Sequence, residues 1–439
     1  MQLGSKIFAV IAVIAALGLA VGYLPGTTPT EAKAIRSAQR NATAYELPPQ
    51  KLEKAVALSR IGRRLNTSRE VWSVAQLLLL LRFGWVARMS QAARRVSGSR
   101  WVQGALFAFL VLLGVFVLDL PLGIYGHHTS LLFGISVQGW GSWLADRGKT
   151  FAIDWLVISL MAVTASLTMS KSPTRWWFWY WIPAALCIVA GVFITPYVID
   201  PLFNKFVPLA QSDPTLVLRL EQVVAKSGIP IPPERMFLMG ASAKSTTLNA
   251  YVTGFGASKR VVVWDTTVAK STPDEIAFIF AHEMGHYALG HVVLGVSLSC
   301  VALLPFFWLG HHGTRLLLRR YGAAWRISSQ QDWAALVVLA MVLMAISALS
   351  DPLQNGVSRR IEHNADVYGQ EAVHGIVSDP QAVGLASFRV LGEDSLDDPT
   401  PHPIFEWWFG THPAIRFRAG FAQAYDPWAP EEHPKYFVK

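Results

Sequence analysis

His282-Glu283-Met284-Gly285-His286 is the stretch on which the reading of this chain turns. It has the form H-E-x-x-H and sits in a run that patterns as a helix. Residues four apart share one helix face, so His282 and His286 can aim two imidazoles at one metal ion. Glu283, beside them, is placed to hold the water that such a metal activates. The flanks support the helix. Thr272 can serve as N-cap, Pro273 suits the first helical position, and Glu275 falls where it completes a capping box. Ala277, Phe278, Phe280 and Ala281 make the surroundings apolar. Burying His-Glu-His among them without a partner is costly, which favours a metal site over a solvated helix that happens to carry two histidines.

Composition assigns much of the remaining chain to a membrane. Of 439 residues, 52% are hydrophobic and 15% charged, against about 25% charged in soluble domains. The shortfall is concentrated in apolar runs of spanning length. Seven spans are expected, at 7–24, 71–86, 101–122, 151–170, 176–199, 292–309 and 333–350. The second is the weakest, being short and holding Arg82. The first reads as an uncleaved span: it is long for a signal peptide, and no small-x-small cleavage site follows it closely. Trp176-Trp177-Phe178-Trp179-Tyr180-Trp181 opens the fifth, an aromatic cluster of the kind found at a membrane interface. Net charge is +9. The Arg and Lys flank apolar runs, so the lipid bilayer is the expected partner, and no nucleic-acid motif is present. Cys187 and Cys300 lie within apolar runs and read as small core residues.

The expected fold class is therefore mainly α, a polytopic membrane protein carrying a metalloprotease domain with a small β-hairpin or sheet. Residues 1–203 form an N-terminal membrane region with five spans and a polar, basic segment at 27–70. Residues 204–291 form the first part of the metalloprotease domain, 292–350 the last two spans, and 351–439 the second part of that domain. Residues 246–252 and 259–264 read as a strand pair around Gly254-Phe255-Gly256. A strand just before a protease helix often offers its edge to an extended peptide.

A catalytic zinc takes three protein ligands and keeps one position open. Two common arrangements after H-E-x-x-H fail here. Leu289 and Val292 stand where one of them needs a glycine and a histidine. The other needs a glutamate some twenty residues on, and no Asp or Glu occurs between His286 and Asp332. On a continued helix His291 falls about 180° from His282, away from any shared ion. The third ligand is therefore expected beyond the sixth span, in Ser358-Arg359-Arg360-Ile361-Glu362-His363-Asn364-Ala365-Asp366. Glu362 and Asp366 share a helix face. One can bind metal while the other holds a ligating histidine. Residue chemistry leaves His363 as a rival.

At this point the chain resembles the membrane metallopeptidases of peptidase family M48, most closely the type I CAAX prenyl proteases. The resemblance rests on several motifs. Asp200-Pro201-Leu202-Phe203-Asn204-Lys205-Phe206 is similar to the segment ahead of the family's protease domain. Asn249-Ala250-Tyr251, Gly254-Phe255-Gly256 and Lys259-Arg260 look like its substrate-edge strand and turn. The H-E-x-x-H motif, Glu362-His363-Asn364-Ala365-Asp366, and Thr411-His412-Pro413 with Arg418 complete the match. The resemblance implies a zincin-like domain that binds one Zn2+ per chain through His282, His286 and Glu362, with His363 excluded. It implies Asp366 and Arg418 as supporting groups, Glu283 as general base, His412 as an oxyanion donor, and Asn249 and Ala250 as substrate contacts. It also implies that the seven spans enclose a chamber. The implied substrate is a peptide or protein, prenylated or not. The implied location is the cytoplasmic membrane of a bacterium, or the endoplasmic reticulum of a eukaryote, with the active site facing the cytoplasm. Segment 27–70 matches no motif of the family. Rival readings are a general membrane quality-control protease without a prenyl requirement, and a transporter or scaffold with a structural metal.

Overall fold

The structure, a computed structural model, describes residues 26–254 and 259–438. It is mainly helical, and five of its helices are long and apolar enough to cross a membrane: Arg100–Leu132, Trp140–Lys171, Trp176–Phe203, His291–Trp325 and Trp333–Ala372. Each has 28 to 40 residues. At 1.5 Å per residue each exceeds the ~30 Å hydrocarbon core, so their ends stand clear of the bilayer. The expected span at 71–86 takes another form. The helix Pro49–Arg82 stops there, and Trp85–Val96 leaves it at 67°. Gly84, at φ +70°, makes the corner, a conformation that costs glycine no Cβ clash. Counted together as one broken span, the pair raises the number to six. The expected span at 7–24 lies outside the described residues.

The aromatic cluster at 176–181 divides between two roles. Trp176 is fully buried, and its Nε1 donates to Nδ1 of His311 at 2.9 Å. Trp181 donates to the carbonyl of Cys300 at 2.6 Å. Phe178 and Trp179 face outward. The helical period turns Trp176 and Tyr180, four apart, inward and leaves Phe178 and Trp179 outward, so part of the cluster knits helices together and part covers the exterior.

The polar half holds a four-stranded sheet, ordered β1 (Phe206–Pro208), β2 (Met236–Met239), β4 (Arg260–Trp264) and β3 (Ala250–Thr253). The expected hairpin is its β3–β4 pair, antiparallel with Ala250 opposite Val263 and Thr253 opposite Arg260. The first strand is shorter than the sequence pattern suggests. Thr246 gives its N–H to the carbonyl of Ile135, and Asn249 gives its own to Oγ1 of Thr267. Those donors are spent before pairing begins, so β3 starts at Ala250.

The motif helix, Pro273–Ala288, begins with the expected capping box: the Thr272 side chain accepts from Glu275 N, and the Glu275 carboxylate accepts from Thr272 N. It lies against the polar end of the Trp333–Ala372 helix, and glycines set how closely. A Cβ on Gly285 would sit 3.0 Å from Tyr368 Cβ, and one on Gly369 would sit 3.0 Å from the backbone nitrogen of His282. The last span and the carrier of Glu362 and Asp366 are thus one continuous helix, apolar at its start and polar at its end.

Segment 27–70 has a clear place. Helix Pro29–Arg40 docks on the C-terminal helix Ile415–Ala424, with Ala34, Ala38, Phe421 and Tyr425 buried together. Its fully buried Glu31 meets Lys435 Nζ at 3.0 Å.

Gly369→Ala should destabilise the fold by about 1–3 kcal/mol, as overpacking does, because the added methyl meets backbone that cannot step aside. Gly356→Ala, on the same helix with only an Arg359 side chain at 3.9 Å, should be neutral or stabilising by up to about 1 kcal/mol. Thermal unfolding in detergent compares them, and equal midpoints would show that the two helices have slack between them.

Candidate active site

Three donor atoms converge where the motif helix crosses the long helix. Nε2 of His286 lies 3.2 Å from Nε2 of His282. Glu362 Oε2 lies 3.3 Å from Nε2 of His282, and Glu362 Oε1 lies 3.7 Å from Nε2 of His286. His282, His286 and Glu362 could together hold a metal ion, each offering one atom within 4.8 Å of the others. Ligands about 2.0–2.1 Å from a tetrahedral zinc stand roughly 3.3–3.4 Å apart, so the spacing suits that ion. The donor set also lacks something. Glu362 Oε2 is buried and receives no well-aligned hydrogen bond among the described residues, although ring nitrogens of His282 and His412 stand 3.3 and 3.2 Å away, a costly state for a carboxylate that a cation seated there would relieve.

Electrostatics agree. Burial opposes charge on the His282 ring, yet the carboxylates of Asp366 and Glu362 outweigh it and hold that group up, to about 10. The pocket is set for a positive charge at this point. Burial, helped by the charge on His282, takes His286 down to about 3; its ring stays neutral, as a ligand must. Burial pushes the Glu283 carboxyl up, to about 7, against the pull of His282, and the Glu362 charge adds to the rise. A carboxyl near 7 is matched to taking and returning protons at neutral pH.

The groups behind the donors form a chain. Asp366 Oδ1 lies 2.9 Å from Nδ1 of His282. Arg418 grips Asp366 with two hydrogen bonds, from Nε to Oδ2 at 2.9 Å and from Nη2 to Oδ1 at 2.7 Å. The guanidinium lies 4.5 Å from the centre of the Phe388 ring. His412 reaches in from a loop, with Nε2 3.2 Å from Glu362 Oε2. His402, its near neighbour in sequence, is occupied elsewhere: its Nδ1 accepts from Ile404 N and caps a short helix. His363 turns away from the donors, toward Glu31 at 3.5 Å and the Phe421 ring.

His282, Glu283, His412 and Arg418 line a cleft of about 750 Å³, together with Asn249, Arg63 and Asn66 among others. Asn249 is exposed at the start of β3, whereas the Ala250 side chain is buried and offers the cleft no more than backbone.

Two contributors escape a reading of the sequence. The helix Pro49–Arg82, which begins in the segment 27–70, supplies one wall of the cleft through Leu58, Ser59, Arg63 and Asn66. No motif announces it, because a wall needs only shape. His291 is the other, and here the sequence reading needs correction. The helix does not continue to it. Leu289 caps the motif helix, Gly290 takes φ +68°, and a new helix starts at His291. The chain reverses enough to bring Nδ1 of His291 to 3.2 Å from Nδ1 of His286. The only sequence signal was the glycine.

Known proteins carry matching patterns. Residues 210–425 match peptidase family M48, and residues 33–205 match the CAAX prenyl protease N-terminal family, described by its five membrane helices. The chain is 31% identical over 333 residues to the uncharacterised metalloprotease YhfN of Bacillus subtilis, across 74% of this chain and 76% of that one. It is 25% identical to the CAAX prenyl protease 1 homolog of Arabidopsis thaliana, across 87% and 92% of the two chains. With CAAX prenyl protease 1 of Saccharomyces cerevisiae it shares 26% identity across 58% of each. The crystal structure of Ste24p from S. mikatae superposes with a TM-score of 0.72 at 23% identity, covering 96% of this chain and 98% of that one, a likeness of fold. Agreement of that breadth, reaching through both the membrane helices and the polar half, makes the chain a multi-pass membrane metallopeptidase belonging to peptidase family M48.

Proposed function

We propose that this metallopeptidase is a zinc endopeptidase of CAAX prenyl protease type, cutting an extended peptide at the membrane surface. The observation that carries the reading is the meeting of three elements at one cleft. One is the donor group of His282, His286 and Glu362. The second is the edge strand β3, which follows the cleft-lining Leu248 and Asn249 and, among the described residues, is paired with β4 alone. The third is a wall formed by Pro49–Arg82, a helix whose far end is apolar.

In this reading one Zn2+ binds through His282, His286 and Glu362, and when bound it supplies Lewis-acid chemistry, acidifying a water and polarising a carbonyl. Asp366 holds the His282 ring by Nδ1, and Arg418 holds Asp366, so the charges behind the donors are neutralised in place. Glu283 takes the proton from the attacking water and passes it to the leaving amine. His412, at the open side of Glu362, donates to the oxyanion. The substrate backbone pairs with β3, using the Asn249 side chain and the Ala250 backbone, which gives affinity with little demand on sequence.

The broken pair at residues 49–96 and the stretch at 7–24 bring the proposed spans to seven, surrounding a chamber that takes the lipid of a prenylated substrate. The cleft faces the cytoplasm, where prenylated C-termini lie. The names of the plant and yeast relatives support the prenyl substrate; that of the bacterial relative specifies none.

Metal analysis of purified variants checks the ligands. Glu362→Ala and His286→Ala should lose zinc, while His363→Ala keeps it; the opposite pattern for Glu362 and His363 would exchange their roles. Glu283→Gln should retain zinc and lose about 10²–10⁴-fold in rate. His412→Ala should lose about 10²–10³ in kcat with little change in KM, and His402→Ala should be mild. For specificity, detergent-solubilised enzyme is offered matched farnesylated, unmodified and scrambled CAAX-type peptides, with a chelator control. Preferential, chelator-sensitive cleavage of the farnesylated peptide is expected. Equal cleavage of all would indicate a general membrane protease, and chelator-insensitive cleavage would remove the metal mechanism.

A further inference from the structure

The two motif histidines present Nε2 to the cation position and turn Nδ1 away from it. Behind His282 stands the Asp366 carboxylate, an acceptor that leaves no ambiguity about where the proton lies. Behind His286, among the described residues, stands His291. The two rings meet edge-on, with centres 5.2 Å apart and planes at 71°, and their Nδ1 atoms are at hydrogen-bond distance. His291 is 5% exposed, so water does not substitute freely for it.

Two Nδ1 atoms at that distance share one proton, and a metal decides which of them carries it. If His291 donated, Nδ1 of His286 would be the acceptor and its neutral ring would carry a proton on Nε2, the atom that faces the other donors. A metal there cannot tolerate that proton. The reverse arrangement is compatible: His286 donates its Nδ1–H to Nδ1 of His291 and leaves Nε2 with a free lone pair. We propose that His291 is a positioning residue for the metal site, accepting the Nδ1 proton of His286 and so fixing the tautomer and plane of that ring. The turn at Gly290 exists in this account to fold His291 back. The site is then asymmetric, with a carboxylate behind one histidine and a neutral imidazole behind the other.

The proposal rests on His286 being a ligand, so the test separates the two claims. Zinc affinity of the full-length protein in detergent is measured by competition with a chromophoric chelator, and the visible spectrum of the Co2+-loaded protein reports ligand geometry. His291→Leu removes the acceptor. His291→Gln keeps one, on a side chain of similar length. Outer acceptors of metal-bound histidines typically contribute about 10–100-fold in affinity. The expected result is a loss of that size with an altered cobalt spectrum for His291→Leu, and recovery of most of it in His291→Gln. Should His291→Leu fail to fold, His291→Ala makes the same contrast. Wild-type affinity without the acceptor overturns the proposal, and so does equal weakening in the acceptor and non-acceptor variants, which would mean packing alone. His286→Ala, measured alongside, must lose zinc; if it does not, the ligand set itself is wrong.

Discussion

Two helices that nearly touch hold this molecule's chemistry together. Gly285 and Gly369 let the motif helix and the long helix approach until backbone meets side chain. Only at that separation does Glu362 come within 3.3 Å of His282 and Asp366 within 2.9 Å. The long helix enters from the bilayer, so its depth and rotation are set by apolar packing well away from the cleft. Gly104 against Trp333 and Gly310 against Leu339 are contacts of that kind. Membrane packing and site geometry are thus linked through one continuous helix.

The close approach buries charge, and the protein meets that cost with partners. Asp366 would be an expensive buried carboxylate alone; Arg418 grips it with two hydrogen bonds, and His282 meets it from the other side. Arg418 comes from the helix Ile415–Ala424, which Pro29–Arg40 braces from behind. Breaking such a buried pair by removing one member costs about 3–5 kcal/mol. Glu362 is treated differently. Among the described residues one of its oxygens receives no well-aligned hydrogen bond although two ring nitrogens stand beside it, a local conflict of the sort that proteins retain at functional sites. Stability is supplied around the site, and the unsatisfied atom is kept at its centre.

Much of this was legible in the chain, and each success had a local cause. The capping box from Thr272 to Glu275 is a contact between residues three apart. The shared face of His282 and His286 follows from helix pitch. Five long apolar helices follow from composition. Where the reading slipped, a local pattern had been extended too far. The strand expected from residue 246 starts at Ala250, because Ile135, distant in the chain, supplies the competing acceptor for Thr246. The helix expected to carry His291 past the motif ends at Ala288, and a new one starts after Gly290. Among the described residues the sheet adds β1 and β2 to the strand pair read from the sequence; β2 pairs in parallel with β4, and parallel pairing leaves no turn signature.

The sequence by itself determined the elements and their inventory of chemistry: a histidine pair on one helix face, a base beside it, a set of acids and histidines downstream, and spans long enough for lipid. It determined them because periodicity, capping and span length depend on residues within a few turns of each other. Tertiary structure alone decided which downstream groups meet. It turned Glu362 and His412 toward the histidines and His363 toward Glu31, made a cleft wall of Pro49–Arg82, and folded His291 behind His286. Those choices depend on how closely and at what rotation distant helices pack, and no short-range rule encodes that distance.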